Sequence, residues 1–204
     1  MEQQLLSERV GLYSLLRALY TYPLTQTVLD AVAQLQVAPE SPLAEGLRQM
    51  QNSLRAATLD ELNIEMTRLL EGPGLTPAPP YASYYLNNGQ LMGPPAVAAR
   101  QVYLQWQAIP EADTHLPDDH IALELGFAAH LAQRAVDGDK TALAAGRDFL
   151  RQHLLPWLSR FCDALVKAGP VPFFSGLAHL TRTAVQADLA WLDQILTETT
   201  VKTV

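Results

Sequence analysis

Residues 72–95 constrain the fold of this chain more than any other stretch. Six of the fourteen prolines fall there, at 73, 77, 79, 80, 94 and 95, together with glycines at 72, 74, 89 and 93. Proline fixes φ and donates no backbone hydrogen bond, so the segment predicts neither helix nor central strand. A stretch this long without regular structure is uncommon in a compact fold and is often functional. The sequence on both sides has helical spacing. Leu5, Leu6, Val10, Tyr13, Leu16, Leu19 and Tyr20 recur at intervals of three and four before Pro23. Further helices are predicted over 26–35 and 42–56, and from Thr58, where Glu61 completes a capping pattern, to Gly72. Beyond the proline segment they are predicted over 96–107, 117–135, 141–153, 156–167 and 171–197. No strand alternation, internal repeat or low-complexity tail is found. The fold class predicted is all-α, a single-domain helical bundle over residues 1–204 with about nine helices, a Pro-rich crossover and a possible hinge within 71–95.

Composition narrows the partners. About half of the 204 residues are apolar and about a sixth charged, as in ordinary globular chains. A net charge of −7 argues against nucleic acid, whose phosphates need a basic surface, and suits a basic partner such as an arginine-bearing peptide. The lone cysteine, Cys162, excludes an intramolecular disulfide and a multi-cysteine metal site. The first residues carry no basic stretch ahead of their apolar ones, and no apolar run approaches the length of a membrane span. A cytoplasmic location without stable membrane insertion is therefore expected.

Catalytic chemistry is hard to find. His115, His120, His130, His153 and His179 form no metal triad. His120 and Glu124 stand four apart on one predicted helix face and fit an ordinary side-chain pair. Ser175-Gly176 lacks the preceding Gly-x of a nucleophile elbow, and Gly72-Pro73-Gly74 lacks the Gly-Lys-Ser/Thr end of a phosphate loop. Adjacent Asp118 and Asp119 would point about 100° apart on a helix, which is unsuited to a shared proton. No enzyme activity, cofactor or metal is expected.

Two segments stand out, each with two readings. From Gly72 to Tyr85, prolines hold the backbone stiff while Tyr81, Tyr84 and Tyr85 supply amphipathic rings. Such a surface could receive a peptide at little entropic cost. It could equally be a rigid crossover whose tyrosines seal an apolar seam. Leu116-Pro-Asp-Asp-His-Ile121 opens an apolar helix, with Pro117 at its first position and carboxylates where the macrodipole favours them. His120, a ring able to carry positive charge at the positive end of a helix, is left without a structural account. An Asp-His pair beside an apolar groove could contact an arginine and a backbone carbonyl of a bound peptide.

Taken together and in order, these segments resemble the TorD/DmsD family of redox-enzyme maturation proteins. The shared pattern runs from the Arg9–Tyr20 helix through Arg68-Leu69-Leu70-x-Gly72-Pro73 and Pro77-x-Pro79-Pro80-Tyr81-x-Ser83-x-Tyr85. It continues in Pro117-x-Asp119-His120 and His153-Leu-Leu-Pro-Trp157-x-x-x-Phe161. The resemblance implies a cytoplasmic chaperone that binds the twin-arginine leader and apo form of a molybdoenzyme of the DMSO/TMAO reductase type. It places Tyr81, Asp119 and His120 at the leader, with Leu69 and Pro80 beside them. Tyr85 is expected to add apolar contact, and the long connector, a hinge for domain swapping, leaves monomer and domain-swapped homodimer both open. The alternative is an assembly factor that docks on a mature redox-enzyme subunit without reading a leader. Leu116 stands where the family carries an acid, and Gly74 where close relatives often carry an aromatic; both bear on which leader is read.

Overall fold

Some helices of this chain begin where the preceding side chain accepts from an otherwise bare amide, as those of Thr25, Thr58 and His120 do. In the computed structural model, which describes residues 2–72, 76–108, 115–169 and 171–202, ten α-helices are present among the described residues. They are α1 (Glu2–Leu19), α2 (Gln26–Gln34), α3 (Ala44–Ser53), α4 (Leu59–Met66), α5 (Ala82–Leu86), α6 (Pro94–Gln105), α7 (Ile121–Val136), α8 (Thr141–Phe149), α9 (Leu155–Ala168) and α10 (Pro172–Lys202). No strand occurs among those residues, and the all-α class expected from the sequence is what the chain adopts. At α4 the expected capping box forms: Thr58 Oγ1 accepts from the Glu61 amide, and Glu61 accepts from the Thr58 amide at 2.8 Å.

Three boundaries differ from expectation for identifiable reasons. The α6 helix starts at Pro94 rather than residue 96, because prolines fit a first turn whose amides would go unbonded anyway. The α7 helix starts at Ile121 rather than at Pro117. The Pro117 carbonyl accepts from the His120 amide at 3.0 Å, closing a turn ahead of the helix. Pro156 does not separate two helices either. A π-helical turn, Leu150–Leu154, joins α8 to α9. Its wider hydrogen-bond spacing accommodates the amide that Pro156 lacks one turn on. A second π turn, Thr67–Glu71, follows α4.

The chain divides into two compact units. The first comprises Met1–Arg17, Tyr81–Trp157 and Val185–Val204. Its core packs Tyr103, Phe127 and Phe149 in tilted and edge-on contacts, with ring centroids 4.7–4.8 Å apart around Phe127. A satellite cluster joins Leu6, Ala135 and Ala142 with Trp106 and Trp191. Asp188 lies buried in this unit, and accepts from the Arg9 guanidinium and, at 2.8 Å, from the Tyr13 hydroxyl.

The second unit comprises Ala18–Pro80 and Leu158–Ala184. Leu62, Met66, Phe161, Phe173 and Phe174 are fully buried there, each contributing about 1.5–3 kcal/mol by leaving water. In this unit α3 and α10 approach backbone to backbone. A Cβ on Gly46 would lie 2.8 Å from the Gly176 carbonyl oxygen, and one on Gly176 2.7 Å from that of Gly46. Only glycine fits at either position.

Candidate functional site

Within the first unit, the end of the proline segment is pinned to the start of α7. Tyr81 and His120 form an isolated antiparallel bridge. The Ala82 amide donates to the Asp119 carbonyl at 3.0 Å, and the Ser83 amide to Asp119 Oδ2 at 2.6 Å. Asp119 thus holds two of the bare amides that open α5, so the short helix takes its cap from across the fold. The Asp119 side chain is 0% exposed, and its Oδ1 has no hydrogen-bond partner among the described residues.

His120 gains the structural account that the sequence withheld. It is the residue ahead of α7, and its Nδ1 accepts from the Ala122 amide at 3.1 Å. The ring nitrogen facing the helix therefore offers a lone pair, which the positive end of a helix favours. The other side of the ring meets Tyr81 edge-on, with centroids 5.1 Å apart. Asp118 points outward to an ion pair with Arg100, while its carbonyl accepts from the Tyr103 hydroxyl at 2.8 Å. These two bonds tie the turn to α6.

One turn into α7 lies a second buried acid. Glu124 is 1% exposed and accepts from the Trp157 indole N–H at 3.0 Å through Oε2. Tyr85 stacks on that indole, centroids 5.8 Å apart and planes 23° apart, and Tyr84 meets Tyr85 edge-on. Loss of water pushes the Glu124 carboxyl well above the usual carboxylate range; the indole bond pulls back against this, and the nearby Asp119 charge adds to it. Burial and the same carboxylates push the Tyr103 hydroxyl up as well. Burial pushes the His153 ring down.

Beside Glu124 lies a cavity of about 320 Å³, lined by Ala82, Leu86, Asn87, Pro94, Pro95, Ala98, Glu124, Gln152 and His153. The lining draws on α5, the start of α6, α7 and the π turn before α9. The π turn sets Gln152 and His153 on the wall, and His153 is steadied by stacking on Phe149 at 5.0 Å.

Of the residues singled out from the sequence, Tyr81, Asp119 and His120 meet directly, and Tyr85 joins them through Trp157 and Glu124. Leu69 and Pro80 belong to the second unit. Leu69 is fully buried on its π turn, where its carbonyl accepts from the Ala78 amide at 3.1 Å, and Pro80 is buried too. Leu116 is half-buried, whereas Gly74 lies outside the described residues. Sequence reasoning missed Glu124, Gln152, His153 and Asn87 as site residues. A single acid within the apolar run from Ile121 to Phe127 was the available signal for Glu124. Gln152 and His153 depend on a π turn that leaves no periodic trace. No cluster of metal-ligating side chains occurs among the described residues, and no helix among them is long and apolar enough to cross a membrane.

An all-helical fold with a proline-bearing crossover capped from a neighbouring helix defines a class, and comparison with known proteins identifies it. Residues 38–163 match the family model described as nitrate reductase delta subunit. The chain is 33% identical over 162 residues to the chaperone protein TorD of Vibrio cholerae, covering 77% of this chain and 73% of that one. It is 25% identical to TorD of Aliivibrio salmonicida (91% and 94% covered), and 29% identical to the Tat proofreading chaperone DmsD of Salmonella typhimurium (89% and 84%). Its fold is that of a crystal structure described as a redox enzyme maturation protein from Archaeoglobus fulgidus, with a TM-score of 0.56 at 21% identity, covering 85% and 91%. The chain belongs to the TorD/DmsD family of redox-enzyme maturation proteins, whose relatives named above are chaperones.

Proposed function

We propose that this protein is a cytoplasmic chaperone that binds the twin-arginine leader and apo form of a molybdenum-cofactor oxidoreductase before export. One observation supports it most. Leu86, Leu91, Met92, Val97 and Leu104 all stand exposed on α5, α6 and the segment joining them, Met92 at 73% and Val97 at 56%. Large apolar side chains gathered on one stretch mark a surface for a partner. A leader peptide offers the complement, an apolar stretch next to basic residues. The net charge of −7 steers such a peptide toward the protein.

In this reading the half-buried rings of Tyr81 and Tyr85 contact the leader. Asp119 and His120 serve it from beneath, by holding α5 and its flanking residues against α7.

The test is a calorimetric titration of a synthetic twin-arginine leader into the full chain, beside capture of the client enzyme with and without its leader. Saturable binding of the free leader, and weaker capture of leaderless client, are expected. Absence of leader binding together with full capture of leaderless client would replace this reading with that of an assembly factor docking on the enzyme body.

A further inference from the structure

Glu124 has a property that its structural role leaves unused. Trp157 engages Oε2, and Oε1 carries no hydrogen bond from the described residues, although the side chain is 1% exposed and lines the cavity. Neither Glu124 nor Asp119 has an ion-pair partner among the described residues. Oε1 faces the cavity, and a carboxyl held there with no counter-charge is costly, a cost that a cationic ligand in the cavity would offset.

The cavity defines that ligand's chemistry. Its volume of about 320 Å³ is at the lower end for small-molecule pockets, enough for one long side chain. Asn87 and Gln152 add amide oxygens to the lining, while Leu86, Pro94, Pro95 and Ala98 supply walls for an alkyl stem. Several acceptors around an apolar shaft fit a guanidinium, which carries five donors in a planar fork and is more weakly hydrated than an ammonium.

On the reading that the protein binds a twin-arginine leader, we infer that Glu124 is the specificity-determining acceptor for one leader arginine, seated in the cavity between α5, α6 and the π turn. Glu124, and not the buried Asp119-His120 pair, then reads the guanidinium.

The experiment titrates two peptides, the leader and its lysine–lysine replacement, into wild type and Glu124→Gln. The glutamine keeps the shape and an acceptor for Trp157, and circular dichroism verifies its fold. Wild type should prefer the arginine peptide by about tenfold or more, the range of one charge-assisted hydrogen bond. Glu124→Gln should lose about the same factor and bind the two peptides alike. A variant that retains the wild-type affinity and preference, or a wild type that binds both peptides equally, overturns the inference. A second measurement separates it from the leader reading: ethylguanidinium followed by the NMR signal of the Trp157 indole N–H. A saturable shift is expected in wild type, with none in Glu124→Gln or in Leu86→Trp, whose larger ring fills the cavity from its exposed side. No shift in wild type overturns the inference whatever the leader does. A shift without leader binding upholds the guanidinium site and removes the leader from it.

Discussion

The first unit buries aspartates in two places and treats them differently. Asp188, 7% exposed, accepts from the Arg9 guanidinium and from the Tyr13 hydroxyl, so its charge is matched and both oxygens are used. The Asp119 carboxylate, more deeply buried, receives the Ser83 amide alone and keeps a bare oxygen, and that of Glu124 one turn on receives an indole alone. A paired buried charge strongly destabilises only when one partner is removed. Glu124, buried without counter-charge, costs stability as it stands, and a fold selected for stability alone would replace it. The first region holds the unit together; in the proposed function the second is kept for what comes to it.

Removing one half of the matched pair should have the largest effect. Asp188→Ala strands Arg9 and Tyr13, and should cost about 3–5 kcal/mol, read as a fall in chemical-denaturation midpoint. Leader affinity per folded molecule should stay near that of wild type. A loss of affinity larger than the loss of folded fraction would erase the distinction between the two regions.

Asp119→Ala should cost less, about 1–3 kcal/mol, because a single amide loses its acceptor while a bare buried oxygen is also removed. Its effect on binding should be the greater one, since α5 loses its hold on α7. Proteolysis near Tyr81–Leu86 should speed up in the variant, and an unchanged cleavage rate would contradict the pinning role.

Glu124→Gln should have the opposite sign. The folded state holds the Glu124 proton more tightly than the unfolded chain does, so Glu124 lowers stability as pH rises above the ordinary carboxylate range. The variant should therefore melt higher near pH 7.5, by about 2–4 °C for roughly 1 kcal/mol. The gain should shrink toward pH 4, where both forms are neutral. Equal melting at both pH values would mean that the carboxyl is not strained.

The smallest change is expected at His120. His120→Ala removes a cap and should cost about 1 kcal/mol, whereas His120→Asn, whose carbonyl can accept from the same amide, should recover about half of that. Thermal denaturation of the two variants separates capping from a role that needs the imidazole itself.

The helical class and the capping box at Thr58 were legible in the sequence, because each depends on local periodicity or on residue types with one strong habit, whereas the pairing of Tyr81–Ser83 with Asp119-His120 joins residues distant in sequence. The start of α7 was not legible either. Pro117 reads as a first helical residue, and only the turn it closes onto His120 shows that the histidine is the cap. The burial of Asp119 was equally hidden, since an aspartate before a helix looks like a solvated cap until another segment lays its amides on it. Glu124 was legible as an acid four residues from a histidine but not as a cavity wall, because its surroundings come from α5, α6 and a π turn distant in sequence.

Photo-crosslinking tests most directly whether the connector region is the receiving surface. A twin-arginine leader with a diazirine in its apolar stretch would be bound to the full chain, irradiated, digested and mapped by mass spectrometry. Crosslinks are expected within residues 81–105, concentrated at Leu86, Leu91, Met92 and Val97. Crosslinks confined to α2, α3 and α4, with none in that stretch, would contradict it.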